Sequence, residues 1–325
     1  HTVLLCSDGR AVACGSNRVG QCDIPKLDSW VSYTQVDAGT WHTVLLRNDG
    51  LVAVCGDSGS CQCDIPDLEP GVTYSQVAAG TWHTVLLRSD GHVVACGSGS
   101  DGQCNIPKLE RGLTYSQVAA GSLHTVLLRS DGRVVACGCN RERQCSIPDP
   151  EPGVSYVQVA AGRSHTVLVR SDGRAIAVGR NRERQCDLPE AREVTYSQVA
   201  AGSLHTMLLQ SDGRAVGCGF NGDGRCDLPA AEENMGYVPF VSAKHFLVQL
   251  AIEGPRTALT ASCRSLGGNE LAAWEIKASE LSSSVFRRVL QEVGGGARRL
   301  SVILPDGSLV TPTLHFADLL AMIAH

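Results

Sequence analysis

No stretch of this chain approaches the eighteen or so consecutive apolar residues that a membrane-spanning helix needs, so no membrane partner is expected. Positive charge is short as well. Lys and Arg number 28 against 33 Asp and Glu, a net charge of -5, and a nucleic-acid role lacks its usual electrostatic footprint. The chain also lacks a serine nucleophile elbow, a phosphate-binding loop and an H-E-x-x-H pair, so neither enzymatic activity nor a cofactor is expected. Its first residues, HTVLLCSDGR, show no basic leader followed by a hydrophobic stretch. They begin within a repeat and without an initiator Met, so the natural protein is expected to continue upstream. With 325 residues, 43% of them hydrophobic and 19% charged, the chain has enough apolar surface to fold.

What the sequence has in abundance is itself. A histidine recurs at His1, His42, His83, His124, His165, His205 and His245, and the six tyrosines, Tyr33, Tyr74, Tyr115, Tyr156, Tyr196 and Tyr237, all occupy one repeat position. A fixed period of this length signals a stacked repeat architecture. Each unit reads as four short β-rich runs, such as TYSQVAAG, HTVLLRS, RVVACG and QCDIP drawn from different copies, which predicts four strands per unit. An Asp-Gly pair between the second and third runs predicts a tight hairpin in which both residues take positive φ. The second run, TVLL, is apolar on consecutive residues, so both of its faces should be covered. A ring of small sheets about one axis meets that demand, each sheet burying its faces on its neighbours. The small residues of VAAG suit a strand near the axis. The glycine three residues before each histidine is expected to hold a conformation other residues resist, and the closing Ile-Pro or Leu-Pro to end an outer strand.

Cysteine is plentiful, at 15, and ten of these form five C-x7-C pairs at equivalent positions. In one copy Val178 stands where the others have the first cysteine, so the position accepts a small apolar side chain and packing is the leading reading, ahead of disulfides or metal. Cys61 and Cys139 add C-x-C groups without a matching second ligand pair.

The phrase VAAG..HTVLLRSDGRVVACG.N..GQC.IP resembles the repeat of the regulator-of-chromosome-condensation family, and in its short form the bacterial β-lactamase inhibitor propeller of that superfamily. The resemblance covers residues 1 to about 250 and implies an all-β, seven-bladed β-propeller over 1–254, with closure of the ring open because strands are missing from the count. Residues 255–325 read as a small α+β domain: a hairpin around Gly267-Gly268, a helix carrying Leu281, Val285, Val289 and Val293 on one face, and a further strand. That order resembles a ubiquitin-like β-grasp; a plain cap on the propeller is the alternative.

A catalytic group is needed once, whereas these histidines stand in every unit, so they are read as structural hydrogen-bond formers between blades. Function is then expected where the repeats differ, in the loop before each histidine and the loop after ACG. Trp and Arg favour interface hot spots, which singles out Trp41, Trp82, Arg141, Arg143, Arg163, Arg182 and Arg184. The expected function is a non-catalytic, monomeric scaffold binding a protein of unknown identity in the cytoplasm or nucleus, with a ubiquitin-related pathway as one setting. Guanine-nucleotide exchange on a small GTPase and enzyme inhibition are the alternatives implied by the family. Steps of 40 to 41 residues leave no room for an inserted exchange wedge, and about 70 terminal residues cannot hold a HECT-type ligase domain.

Overall fold

The computed structural model describes residues 1–227, apart from Ser7, Ser29, 191–193 and Asp223, and beyond them the backbone of five strands between 246 and 310. Strands β1 (Thr2–Leu5) and β2 (Ala11–Cys14) form an antiparallel pair. Then β3 (Tyr33–Ala38), β4 (His42–Arg47) and β5 (Val52–Gly56) form a three-stranded antiparallel sheet with β4 in the middle. The same sheet recurs at residues 74–97, 115–138, 156–179 and 196–219. These six sheets are termed blades 1 to 6.

The core lies between blades. Val44 and Leu46 of β4 pack with Tyr74, Val77, Ala79 and Leu86 of blade 3, whereas Leu45 packs with Val3 of blade 1 and with Tyr33, Val36 and Ala38. Alternate side chains of one strand therefore enter two different cores, which is why TVLL is apolar without a break. Fully burying a Leu such as Leu45 contributes about 1.5–3 kcal/mol.

Polar side chains link the blades at three levels. Near the axis, Gln35 Oε1 accepts from the Val77 N–H at 3.0 Å while its Nε2 donates to the Val77 carbonyl at 3.2 Å, and Gln76, Gln117 and Gln158 accept likewise from Val118, Val159 and Val199. In the middle, His42 Nε2 lies 2.9 Å from Thr84 Oγ1 of the next blade, and the contact repeats from His1 to Thr43, His83 to Thr125, His124 to Thr166 and His165 to Thr206. Thr84 spends its single proton on the Gln62 carbonyl at 2.7 Å, so His42 Nε2 is the donor. At the outer end, Tyr33, Tyr74, Tyr115, Tyr156 and Tyr196 donate to the carbonyls of Pro25, Pro66, Pro107, Pro148 and Pro189. Tyr115→Phe removes one such bond and should cost about 1 kcal/mol in urea unfolding. A loss below a few tenths would show that the hydroxyl only decorates a ring held by packing.

Three expectations are corrected. Blades 2 to 6 have three strands and blade 1 has two, none of them from the fourth run, QCDIP, which folds back on itself: Asp23 and Ile24 donate to Gly20 and Cys22, and Pro25 has no donor to offer. In the hairpins only the glycine of Asp-Gly has positive φ, 76° at Gly50, while the Asp49 carboxylate accepts from the Leu51 N–H. The loop is thus three residues long, with the glycine at a bulge. Finally, Gly39, Gly80, Gly121, Gly162 and Gly202 are absent from the left-handed region among the described residues. They are required by proximity: a Cβ on Gly121 would lie 2.1 Å from His124 Cε1 and 2.6 Å from the Gly162 carbonyl oxygen of the next blade.

The described residues hold six repeat sheets. His245 and the predicted helix around Leu281–Val293 lie outside the described residues. The strand Phe246–Glu253 pairs antiparallel with Leu259–Arg264 and parallel with Arg298–Ile303, within a five-stranded sheet that also contains Glu270–Ile276 and Leu309–Val310.

Candidate interaction face

The pairing of β4 with β5 sets His42 opposite Gly56, so the loop before the histidine and the loop after the third strand leave the blade at the same end. One backbone bond ties them together: the Asp57 N–H donates to the Trp41 carbonyl at 2.9 Å, and Ser98 to Trp82, Cys139 to Leu123, Arg180 to Ser164 and Phe220 to Leu204 repeat it. The Asp-Gly hairpins lie at the opposite end. Both variable loops of blades 2 to 6 therefore share one end, and all seven candidate residues stand there.

The loop after the third strand is built on a rigid frame. Gln21, Gln62, Gln103, Gln144 and Gln185 are buried, and each takes an N–H of its own loop on Oε1, as from Val19 to Gln21 and from Glu142 to Gln144. Asn17, Asn140, Asn181 and Asn221 accept the N–H of the cysteine five residues on. Three of them also hold the following aspartate, Asn181 reaching Asp187 Oδ1 at 2.7 Å. These Gln and Asn residues escaped notice as site builders, although their recurrence in the repeat was the signal. Between the anchors, Arg141, Arg143, Arg182 and Arg184 are exposed, as is Arg163 on the neighbouring loop.

Trp41 and Trp82 come together across two blades, half-buried, with ring centroids 5.6 Å apart and planes inclined by 24°. Thr40 and Thr81 join beside them, hydroxyl to hydroxyl at 3.1 Å. The seven candidates thus divide into an aromatic pair on blades 2 and 3 and an arginine group on blades 4 and 5. Trp30, 77% exposed, lies elsewhere, in the linker that leads to Tyr33.

The paired cysteines serve this frame. Cys55, Cys96, Cys137 and Cys218 each donate Sγ–H to the carbonyl of a buried loop glutamine of the preceding blade, and the second cysteines donate to a carbonyl six residues back in their own loop. Burial pushes the thiols of Cys96, Cys145 and Cys218 up to about 12, so they are protonated donors at neutral pH and poor nucleophiles. Val178 is tolerated because Thr166 still donates to the Gln144 carbonyl.

The Regulator of chromosome condensation (RCC1) repeat matches residues 74–103, 115–144, 156–185 and 196–225, that is, blades 3 to 6 with their loop anchors. Four blades are RCC1 repeats. Blade 2 shares the three-stranded sheet of these blades, and blades 1 and 2 share their histidine–threonine links. None of the curated proteins matches the chain. Among solved structures, the chain is similar to Prp20p of Saccharomyces cerevisiae, with a TM-score of 0.59, 19% identity and coverage of 69% of this chain and 70% of that one. It is similar to the ectodomain of the Physcomitrella patens receptor kinase CR4, with a TM-score of 0.59, 16% identity and coverage of 82% and 70%. For human WBSCR16 the TM-score is 0.55, with 16% identity and coverage of 78% and 83%. At such identities the likeness is one of fold, an all-β array of RCC1-type propeller blades.

Proposed function

We propose that this chain is a non-catalytic protein-binding module, a rigid disc that presents the loop end of its blades to a protein partner. The observation that carries the reading is the division of labour within the repeat. The recurring His, Thr, Gln, Tyr and Gly residues are engaged in links between or within blades, while the two variable loops beside each histidine gather at one end and include exposed arginines and a tryptophan pair. Yeast Prp20, of similar fold, is a protein-binding propeller described with its binding properties to Gsp1p and histones and bound to Kap60. The reading keeps the seven-bladed, monomeric ring, the ubiquitin-like C-terminal segment and a cytoplasmic or nuclear setting as parts of the same proposal.

Replacing Trp41 and Trp82 together by Ala should release a partner captured by the full chain, as read by affinity purification and mass spectrometry. Stacking contributes about 1 kcal/mol beyond the area the two half-buried rings cover, so the melting temperature should fall by several degrees while the blades stay folded. Undiminished capture by the double variant would reject the aromatic pair as a contact. Exchange activity on a small GTPase is the second reading, favoured only by the fold it shares with Prp20p. Nucleotide release from a panel of GTPases is expected to run at its intrinsic rate when the protein is added.

A further inference from the structure

The residue before each buried loop glutamine, or before Arg225 in blade 6, takes a left-handed backbone in all six blades. Gly20, Gly102 and Gly224 fill it in blades 1, 3 and 6 with φ of 81°, 84° and 69°, whereas Cys61, Arg143 and Arg184 fill it with 60°, 65° and 60°. A side chain there strains a backbone that glycine occupies freely. Two of the three exceptions are arginines on adjacent blades, and strain of this kind accumulates where a side chain is wanted for something other than folding. Their loops are in register: Arg182 lies 3.7 Å from Glu142 across the blade boundary, and a Cβ on Gly179 of blade 5 would lie 3.1 Å from the Gln144 side chain of blade 4. Arg163 joins them through its own loop, whose Ser164 carbonyl accepts from the Arg180 N–H.

Loops 140–143, 163–164 and 180–184 together hold six arginines and two glutamates, in a chain whose net charge is -5. The glutamates are engaged, Glu142 with Arg182 and Glu183 with Arg180 at 3.3 Å. Arg141, Arg143, Arg163 and Arg184 are exposed and form no ion pair among the described residues.

We propose that this arginine arc docks an acidic segment of the protein partner, a run of Asp and Glu side chains. The proposal rests on the reading of the loop end as a protein-binding face and names which part of it binds and by what chemistry. Planar guanidinium groups take carboxylates in two-pronged hydrogen bonds, a geometry that a lysine cluster does not offer. A long nucleic acid would meet the same forks, but it extends beyond the arc over a molecule of opposite preference, whose net negative charge repels it.

The test is fluorescence anisotropy of a labelled peptide of twelve glutamates titrated with the full chain, with a twelve-residue oligothymidylate as the second probe. The peptide should bind, and more weakly as salt is raised. Arg143→Gly combined with Arg184→Gly should weaken it at least tenfold while the melting temperature holds or rises, because glycine relieves the backbone. Arg10→Ser with Arg214→Ser, at the hairpin end, should leave affinity unchanged. The proposal is overturned by no peptide binding, by equal affinity in the double glycine variant, by tighter binding of oligothymidylate, or by a melting temperature that drops along with affinity. An unaltered protein that captures its partner through Trp41 and Trp82 yet binds no peptide would end the acidic-segment proposal and leave the protein-binding reading standing. An unaltered protein that does neither would end both.

Discussion

Gly121→Ala is expected to destabilise the protein by about 3 kcal/mol, the upper part of the range for forcing extra carbon into a packed interior. The new methyl would sit 2.1 Å from His124 Cε1, 2.3 Å from His124 Nδ1 and 2.6 Å from the Gly162 carbonyl oxygen. None of these can yield alone. The imidazole is held 3.0 Å from Thr166 Oγ1, and the carbonyl belongs to the main chain of the next blade. Room for the methyl therefore requires opening the seam between blades 4 and 5, with the loss of buried contacts among Val126, Leu128, Val159 and Leu168. Gly112→Ala is the matched comparison. Its φ of 88° makes alanine unfavourable, but no atom lies within 4 Å of the added carbon, so only a backbone cost of about 1 kcal/mol is expected. Urea unfolding of both variants decides the matter, and equal midpoints would refute the steric account of the glycine that precedes each histidine.

That glycine also shows what a sequence can and cannot disclose. Its recurrence beside the histidine was visible, yet recurrence does not say whether backbone conformation or close approach demands it. The distinction rests on a contact with a residue about 40 positions away. The unbroken apolar run of β4 was more legible, since a strand that hides both faces must be flanked by sheets, and Leu45 and Leu46 do enter different cores. The run QCDIP misled because Ile and Cys have strand propensity, while the hydrogen bonds that curl it inward depend on the loop before it. For the candidate face, the residue types were readable and their placement was not. Trp41 and Trp82 are 41 positions apart and meet because neighbouring blades stand in register. The alignment of Arg143 and Arg184 with Gly20 and Gly102 was available in the repeat itself, but the sign of φ that gives it meaning belongs to the folded chain.

Acidification should weaken the packing of blade on blade well before carboxylates begin to protonate. Burial pushes the imidazoles of His165 and His205 down to about 4 from an ordinary 6.5, helped by His205 beside the first and by Arg225 beside the second. Both are bases whose neutral form the fold prefers, and His165 donates to Thr206 in that form. Above pH 6.5 these histidines are neutral in the folded and unfolded chain alike, and their contribution is complete. Between 6.5 and 4 the unfolded chain binds protons that the folded one refuses, so stability falls as pH falls through this window. A shift of this size corresponds to about 3 kcal/mol for one group by the lower end, and the two together yield less than twice that because His165 feels the charge of His205. Asp131 and Asp172 act lower: burial alone would raise them, but hydrogen bonds outweigh it, from the Arg133 N–H and Arg129 at Asp131 and from Arg170 and the Arg174 N–H at Asp172. Their contribution is lost only as pH falls below the ordinary carboxylate value of 3.8. Urea midpoints measured from pH 7.5 to 4.5 should therefore decline steadily below 6.5. A flat profile across that interval would mean that His165 and His205 are not held neutral in the folded chain, and the account of their burial between the blades would fail.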